Sequence, residues 1–323
     1  MKRVCIISNE SDHSTADIID WIHYFKQEAI RINISSNVII RSIEVGVSEE
    51  TIIEVDGKIV SLDSIYSFWY RRGKIISSIY SKQPLSILSY PAEILDYLRE
   101  EAKATVDHLY YLLECKKSIG SLKTAQVNKL SVLNLAKLVG LTIPETVLIS
   151  SKERLIQFKE KHCSIICKAI AEAININHLE GSIKCYTEIV GDKVINDLPD
   201  TFPLTLFQPN ISKFFELRIF YLDKVMKSMA LFSQNDKLTK TDFRNYNISK
   251  PNRTVPYDLP EHIKTQISLL MNKLNLNCGS IDMIYSMNND YVFLEVNPVG
   301  QFGMTSLPCN YNIEKNIAQF LTT

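Results

Sequence analysis

The residues with the clearest chemical potential lie near the C-terminus, where Asp282, Glu295 and Asn297 occur within one strand-turn-strand pattern. A hairpin turn centred on Asn288-Asn289 places Asp282 opposite Glu295. Because side chains alternate along a strand, Asn297 then shares the face of Glu295. Opposed carboxylates repel each other, and a hard divalent cation such as Mg²⁺ would remove that conflict. The pattern predicts a metal site, with a solvated sheet face that carries unrelated carboxylates as the alternative.

Basic side chains elsewhere in the sequence could bind phosphate. Lys168 ends an apolar strand, and Arg218 shares a strand face with Glu216. Ammonium and guanidinium groups both bind phosphoryl oxygens, and the planar guanidinium can donate hydrogen bonds to two of these oxygens at once. A lysine that extends its ammonium group to solvent and a cross-strand salt bridge are the structural alternatives.

Two further stretches carry hydrogen-bonding groups. The segment from Thr239 to Tyr246 contains Arg244 and Asn245, although such a composition is often turn chemistry alone. Between Gln208 and Ile211, Pro209 is expected to interrupt strand pairing and leave backbone groups that could contact a nucleotide base. A plain edge strand is the alternative for this second stretch.

Composition sets limits on the class of protein. The chain has 323 residues, with 36 basic and 36 acidic side chains, so its net charge is zero and a dedicated nucleic-acid binder is disfavoured. The sequence lacks an apolar run of the roughly 20 residues that a membrane helix needs. Seven scattered cysteines predict buried thiols in a cytoplasmic protein, including Cys163 and Cys167 on one strand.

The predicted elements indicate an α+β protein with antiparallel sheets. In the first 118 residues they are a strand at Arg3–Ser8, a helix at Ser14–Ile30, a hairpin around Asp56-Gly57, a strand at Ile65–Tyr70 and a largely helical stretch at Ile87–Ile119. Beyond Gly120, helices are predicted at Ala125–Val139, Pro260–Leu274 and Ile313–Leu321, and strands dominate between the first two, including one at Lys193–Asn196. Ten glycines and no glycine-rich phosphate loop disfavour a P-loop or dinucleotide-binding fold.

Taken together, these pieces resemble the ATP-grasp superfamily. The resemblance rests on Lys129, Lys168, Gln208-Pro209, Glu216-Leu217-Arg218, Asp282 and Glu295-Val296-Asn297. A more specific likeness to ATP-grasp peptide maturases rests on Phe68-Trp-Tyr-Arg-Arg72, Ser233-Gln234, Asp242–Tyr246, Val255-Pro-Tyr257, Gly279–Asp282, Phe293–Phe302 and Pro308–Tyr311. The pattern is similar to the maturases of the "grasp-with-spasm" type, which are related to the microviridin-like macrocyclases of the graspetide family.

The resemblance implies a fold and a division into domains. Residues 1–118 would form an N-terminal α/β pre-ATP-grasp domain, and residues 119–323 the ATP-grasp domain. Within the latter, residues 119–207 would supply the central and lid subdomain. Residues 208–323 would supply an antiparallel-sheet subdomain with the Mg-ATP site.

The resemblance also implies an activity. An ADP-forming ligase of this family phosphorylates Asp or Glu side chains of a ribosomal precursor peptide (leader plus core). Condensation with a Ser/Thr hydroxyl or a Lys amine then closes ω-ester or ω-amide macrocycles. Two alternatives stay open: a ligase that adds a free amino acid to a protein or small peptide, and a non-catalytic ATP-binding module. Neither nucleic acid nor a membrane is implied as a partner, and a homodimer is suggested by related enzymes.

Residue roles follow from the resemblance alone. The implied ligands of two Mg²⁺ ions are Asp282, Glu295 and Asn297. The implied nucleotide contacts are Lys129, Lys168, Gln208, Pro209, Ile211 and Glu216. The residues implied to act on the transferring phosphoryl group are Arg218, Arg244 and Asn245.

Overall fold

The computed structural model describes residues 1–46, 50–76, 91–171, 175–178, 181–184, 186–234, 249 and 251–323, with the backbone alone at 175–178 and 181–184. Backbone packing divides the chain into two compact units. The first comprises Met1–Ala125 with Pro298–Thr323, and the second comprises Gln126–Asn297. The last part of the chain, which the sequence assigns to the second domain, therefore packs with the first unit. The functional division into lid and C-terminal parts stays a prediction.

The described residues of the first unit form a parallel sheet of four strands and a separate antiparallel sheet of three strands. The parallel sheet has the spatial order β2 (Glu28–Ile32), β1 (Arg3–Ile7), β6 (Ile65–Tyr70) and β7 (Lys117–Ile119). The antiparallel sheet contains β3 (Val38–Ile43), β4 (Thr51–Val55) and β5 (Lys58–Ser61), followed by a single 3₁₀ turn at Leu62–Ser64. The predicted hairpin turn at Asp56-Gly57 is confirmed, because Val55 pairs with Lys58.

Two helices of this unit differ from their predicted bounds. Helix α1 runs from His13 to Tyr24, capped by Asp12, whose carboxylate accepts a hydrogen bond from the backbone N–H of Thr15. It stops well before Ile30 because the backbone at Lys26 turns into the left-handed region (φ 58°). Helix α2 covers Ala92–Glu114. The predicted helical end at Ile119 is wrong, since β7 pairs in parallel with β6 there.

The described residues of the second unit form two antiparallel sheets and a separate hairpin. The first sheet, here called the lid sheet after the subdomain predicted for these residues, has the order β12 (Glu188–Ile189), β9 (Ile165–Lys168), β13 (Thr201–Pro209) and β8 (Val147–Ser151). The second, here called the site sheet, has the order β16 (Arg253–Tyr257), β15 (Val225–Phe232), β14 (Lys213–Leu222), β17 (Cys278–Ser286) and β18 (Tyr291–Asn297). The separate hairpin pairs β10 (Asn175–His178) with β11 (Gly181–Lys184).

Helices cover one face of each sheet. Helices α3 (Lys129–Leu138) and α6 (Glu261–Lys273) bury apolar residues in one core with the site sheet. Helices α4 (Lys152–His162) and α5 (Asp192–Asp197) do the same for the lid sheet. The predicted strand at Lys193–Asn196 is wrong, because these residues lie in α5 and bury Ile195. Four residues are too few for apolar spacing to separate a strand from a helix.

The prediction of buried thiols is wrong at Cys115 and Cys163, which are exposed. Cys163 does not lie on a strand but follows α4 with φ 60° and is exposed. Cys167 lies in β9 and is half-buried. Every cysteine in the described ranges is a free thiol.

The chain ends in helices α7 (Gly303–Cys309) and α8 (Ile313–Thr322), which belong to the first unit. A buried arginine fixes the segment that precedes them. Arg71 pairs with buried Asp12 at 3.1 Å and donates hydrogen bonds to the carbonyl oxygens of Val299 and Gly300 at 2.6 and 3.0 Å. These bonds help to explain why the C-terminal stretch packs with the N-terminal unit. Within the described residues, no helix has the length and apolar character needed to cross a membrane.

We expect Phe293→Ala to destabilise the second unit by about 3–5 kcal/mol, since it empties a fully buried position in the core of the site sheet. Equilibrium urea unfolding measures this change. Phe214→Ala is the matched control, because Phe214 is 43% exposed and its loss should cost less than about 1 kcal/mol. Equal losses for the two variants would contradict this assignment of the core.

Candidate functional site

The two carboxylates singled out from the sequence face each other on the site sheet. Asp282 in β17 pairs with Glu295 in β18, and Ser280 pairs with Asn297. This part of the predicted register is confirmed. Nearer the turn the register is shifted by one residue, so that Tyr285 pairs with Tyr291 and Met283 with Phe293. The predicted two-residue turn is therefore wrong in detail, and an irregularity between Asp282 and Met283 restores the register of the site residues.

That irregularity decides which face Glu295 occupies. Phe293 and Val296 both lie in the core under α3 and α6, although strict alternation would separate residues three apart. Leu294 has no partner opposite it in the ladder, which is the arrangement of a β-bulge. Strict alternation from Phe293 would have turned Glu295 into the core. The extra residue instead places Glu295 on the face of Asp282.

The face opposite the core collects the charged residues of the site sheet. Leu217, Ile219 and Ile281 pack toward the helices. Their neighbours Arg218 and Asp282 alternate to the other face, where they are cross-strand partners. Glu216 precedes Arg218 by two residues and shares this face, as the Glu-x-Arg spacing predicts. We call this surface the site face.

Arg218 neutralises Asp282 directly. Its Nη1 lies 2.6 Å from both carboxylate oxygens of Asp282, and both side chains are largely buried. Burial raises the pKa of Asp282 to about 6; Arg218 opposes this shift, whereas the charges of Glu295 and Glu216 add to it. A carboxylate that stays difficult to ionise beside a guanidinium is one that an additional cation would stabilise.

Lys129 connects the two sheets of the second unit. It is the first residue of α3, whose N-cap Asn128 accepts hydrogen bonds from the backbone N–H groups of Leu130 and Ser131. The Nζ of Lys129 lies 3.3 Å from Oε2 of Glu295 and donates to the carbonyl oxygen of Ala169 at 3.0 Å. Ala169 directly follows Lys168 at the end of β9. One ammonium group thus joins the end of a lid-sheet strand to the site face.

Glu216 belongs to a buried polar network. Its Oε1 accepts one hydrogen bond from Nζ of Lys213 and one from the hydroxyl of Ser233, each at 2.7 Å. All three side chains are at most 9% exposed. The carboxylate is therefore held in one orientation by a cation and a hydroxyl.

Lys213 is not predicted from the sequence, and Ser233 is named there only in the motif Ser233-Gln234, without a role in the site. The place of Ser233 in the site could have been predicted. Leu231 on β15 pairs with Glu216, and Ser233 follows Leu231 by two residues, so its side chain lies on the same face as Glu216. Lys213 lies three residues before Glu216, which alternation would assign to the other face. A register shift between Lys213 and Phe215 brings it to the same face, and nothing in the sequence pattern indicates that shift.

The lid sheet also has a face turned away from its helices. Lys168 and Leu206 are cross-strand partners there, as are Gln208 and Ile166. Gln208 is buried, and its side-chain amide donates to the hydroxyl of Thr146 at 2.8 Å. Lys168 is half-buried. The structure thus brings two of the predicted nucleotide contacts, Lys168 and Gln208, to one sheet face.

The expected interruption of pairing at Pro209 is wrong. Pro209 still pairs with Ile165, and the backbone N–H of Asn210 donates to the carbonyl oxygen of Ser164 at 2.9 Å. A proline at a position whose missing N–H is not required leaves the ladder intact. Ile211 follows this strand and is half-buried. The contacts of Gln208, Pro209 and Ile211 with a nucleotide stay predictions.

The remaining predicted positions fall into two groups. Asn297 is exposed at the end of β18, on the site face with Glu295. Arg244 and Asn245, together with the rest of the Asp242–Tyr246 motif, lie outside the described residues, and their roles stay predictions.

The donor set on the site face fits Mg²⁺ better than a metal that needs a complete protein cage. Two carboxylates and one amide converge there, and in the part of the chain that the structure describes no three or more His, Cys, Asp or Glu side chains cluster as a metal site. Mg²⁺ in nucleotide-binding proteins is held by one or two carboxylates and completes its shell with water and phosphate oxygens. Asp282, Glu295 and Asn297 fit that requirement.

The fold is shared with known ligases along the whole chain. A scan against protein-family models found no match, and a comparison with curated proteins found none. Among solved structures, the macrocyclase MdnC from Microcystis aeruginosa, bound with precursor peptide MdnA, is 25% identical with a TM-score of 0.76, and 99% of each chain is covered. A RiPP-associated ATP-grasp ligase from Chryseobacterium gregarium, in complex with ADP and a leader and core peptide, is 24% identical with a TM-score of 0.81, covering 100% of this chain and 97% of that one.

A more distant neighbour is D-alanyl-alanine synthetase A from Vibrio cholerae, which is 13% identical with a TM-score of 0.57 and covers 99% of this chain and 97% of that chain. These likenesses establish the α+β ATP-grasp fold, as predicted. They also confirm that the chain resembles ATP-grasp peptide maturases.

We expect Lys213→Met to lower the free energy of unfolding by about 3–5 kcal/mol, because it leaves the buried carboxylate of Glu216 without its cation. Adding Glu216→Gln in the same chain should recover at least about 2 kcal/mol, since the uncompensated charge is gone while Ser233 keeps an acceptor. Urea unfolding of both single variants and the double variant tests this. A double variant no more stable than Lys213→Met alone would show that the pair is not buried as described.

Proposed function

We propose that this chain is an ATP-dependent, ADP-forming ligase that modifies a ribosomal precursor peptide with a leader and a core. It would phosphorylate Asp or Glu side chains of the core and condense each acyl phosphate with a Ser/Thr hydroxyl or a Lys amine. The products would be ω-ester or ω-amide macrocycles. The single observation that carries this proposal is the site face, where paired carboxylates and basic groups converge within a fold that MdnC shares over its whole length.

The site face accounts for the nucleotide side of the reaction. Asp282, Glu295 and Asn297 would hold Mg²⁺, two ions in the fullest form of the proposal. When bound, the metal neutralises charge on the nucleotide phosphates. Lys129 and Lys168 would bind oxygens of the α- and β-phosphates.

The proposed adenine contacts lie on the lid sheet, whereas the proposed ribose contact lies on the site face. Gln208, with Pro209 and Ile211, would meet adenine at the end of β13. Glu216, fixed by its two hydrogen bonds, would meet the ribose or a metal-bound water. Its rigid placement suits a positioning contact, because a side chain held before binding loses little conformational entropy on binding.

Arg218 has the role closest to the chemistry. Its guanidinium sits on the site face next to the proposed metal ligands, where it would bind the transferring phosphoryl group and later the oxyanion formed on attack of the acyl phosphate. Arg244 and Asn245 would assist the same step. In phosphoryl transfer the protein mainly positions the reacting groups and stabilises the charge on the transferring phosphoryl group, and these residues would do both.

The reaction balances as two steps. The carboxylate attacks the γ-phosphorus, which gives an acyl phosphate and ADP. The hydroxyl or amine then attacks the acyl carbon, phosphate leaves, and the nucleophile gives up one proton. The peptide therefore loses one water for each linkage.

Intact-mass spectrometry tests the proposal. A short precursor peptide encoded beside this chain's gene, incubated with the protein, ATP and Mg²⁺, should show successive losses of about 18 Da, one per condensed linkage. Mild base should then hydrolyse esters and leave amides intact. Mass gain from an added free amino acid, with no loss of water within the peptide, would favour the free-amino-acid ligase. Nucleotide binding without ADP release in the presence of peptide would favour the binding module.

Glu295→Ala should lower the rate of dehydration at least about 100-fold, because it removes a metal-facing carboxylate next to Asp282. Glu54→Ala is the matched control, since Glu54 is also a strand glutamate that pairs with a basic residue, Arg41, but lies in the other unit. The rates come from the mass time course. Equal rates for Glu295→Ala and wild type would exclude the assigned role of Glu295.

Two properties of the assembly are also proposed. The free cysteines of the described residues suit the reducing cytoplasm. A homodimer is proposed from the resemblance to related enzymes, and light scattering of the purified protein would measure it. Neither nucleic acid nor a membrane is part of the proposed function.

A further inference from the structure

Among the residues that the structure describes, three carboxylates of the site face each form an ion pair with a basic side chain. The pairs are Lys213 with Glu216 at 2.7 Å, Arg218 with Asp282 at 2.6 Å, and Lys129 with Glu295 at 3.3 Å. Within these pairs, each of the three acidic groups is matched by one basic group. The three pairs differ in the roles that the proposed function assigns to their residues.

Two of the pairs join groups with separate tasks in the proposed function. Asp282 and Glu295 are proposed to hold Mg²⁺, whereas Arg218 and Lys129 are proposed to bind the phosphates. Nη1 of Arg218 lies within hydrogen-bonding distance of both oxygens of Asp282, so the guanidinium occupies the region of the carboxylate that a cation would use. An arginine held in this way is also not fully available to an anion.

We propose that Arg218 and Lys129 stand in for the metal in the nucleotide-free protein and exchange their carboxylate partners for phosphate oxygens when metal and nucleotide bind together. This inference rests on the proposed function only for the metal and the nucleotide, and it does not require a peptide substrate. Its consequence is a coupling between the two ligands. A metal ion alone must displace both basic groups without offering them a new partner, whereas metal and nucleotide together provide one.

The third pair shows why exchange is confined to the other two. Lys213 and Glu216 have side chains that are 7% and 9% exposed, and Ser233 donates to the same carboxylate oxygen as Lys213. Lys129 and Glu295 are 16% and 31% exposed, and their separation is longer. Arg218 and Asp282 lie between these extremes, at 13% and 16%. The two pairs proposed to exchange are thus the more accessible ones.

Reciprocal linkage makes the proposal measurable. If the nucleotide tightens metal binding by some factor, the metal must tighten nucleotide binding by the same factor. A coupling factor of about 5 or more is expected for wild-type protein. Removal of either basic group should expose a carboxylate, so the metal should bind more tightly in the absence of nucleotide. Adding nucleotide should then increase the affinity for the metal by a smaller factor than in wild type.

The experiment is a titration with Mn²⁺ as the probe, followed by electron paramagnetic resonance, with and without a non-hydrolysable ATP analogue. Arg218→Met and Lys129→Met should each bind Mn²⁺ more tightly than wild type in the absence of nucleotide, by about 5-fold or more, and should show a smaller coupling factor. Arg41→Met is the matched control, because it removes a basic partner of a carboxylate in the other unit and should change neither quantity.

Two outcomes of the Mn²⁺ titration would overturn the proposed exchange. Unchanged or weaker nucleotide-free Mn²⁺ binding in the folded variants, with the wild-type coupling factor retained, would overturn the exchange. Circular dichroism verifies folding, and should Arg218→Met fail to fold, the more exposed Lys129 pair decides the question through Lys129→Met. Wild-type protein that binds Mn²⁺ equally with and without the analogue would also overturn it, even where the peptide is dehydrated. Coupled binding without peptide dehydration would sustain the exchange and remove only the proposed peptide reaction.

Discussion

The opposition of Asp282 and Glu295 on neighbouring strands is the constraint on which the rest of the site depends. Two carboxylates at cross-strand positions repel each other, and burial makes the ionised form of Asp282 still less favourable, which raises its pKa to about 6. Cations that neutralise the pair relieve this repulsion. Arg218 and Lys129 supply that charge from two different elements, a sheet strand and the first turn of a helix.

The core beneath the sheet explains how these charges are held. Residues of β14, β17 and β18 that point toward α3 and α6 form a continuous apolar layer, so the strands have little freedom to slide. A slip by one residue would bury the charged set and expose the apolar one. The β-bulge at Leu294 is part of the same arrangement, because it turns Glu295 to the face of Asp282 while Phe293 and Val296 both stay in the core.

The sequence correctly predicts that Asp282 and Glu295 face each other in this hairpin, although it does not predict the detailed register. The predicted turn is too short, and the bulge is not predicted at all, yet the two errors cancel and Asp282 still faces Glu295. Short segments were less predictable. Lys117–Ile119 forms a strand and Lys193–Asn196 lies in a helix, since over three or four residues apolar spacing cannot distinguish the two. Long-range effects such as the register shift that brings Lys213 to Glu216 leave no local signature.

The pairing of charges on the site face has a thermodynamic consequence for the order in which ligands bind. Asp282 and Glu295 are already paired with Arg218 and Lys129, so a nucleotide alone or a metal ion alone must break an ion pair, and neither gains much by binding first. The gain comes when opposite charges enter together, because every carboxylate and every basic group then keeps a partner. Because these side chains already lie on the site face, joint binding requires an exchange of partners and not the ordering of mobile groups, and this limits the free-energy cost of assembling the complex.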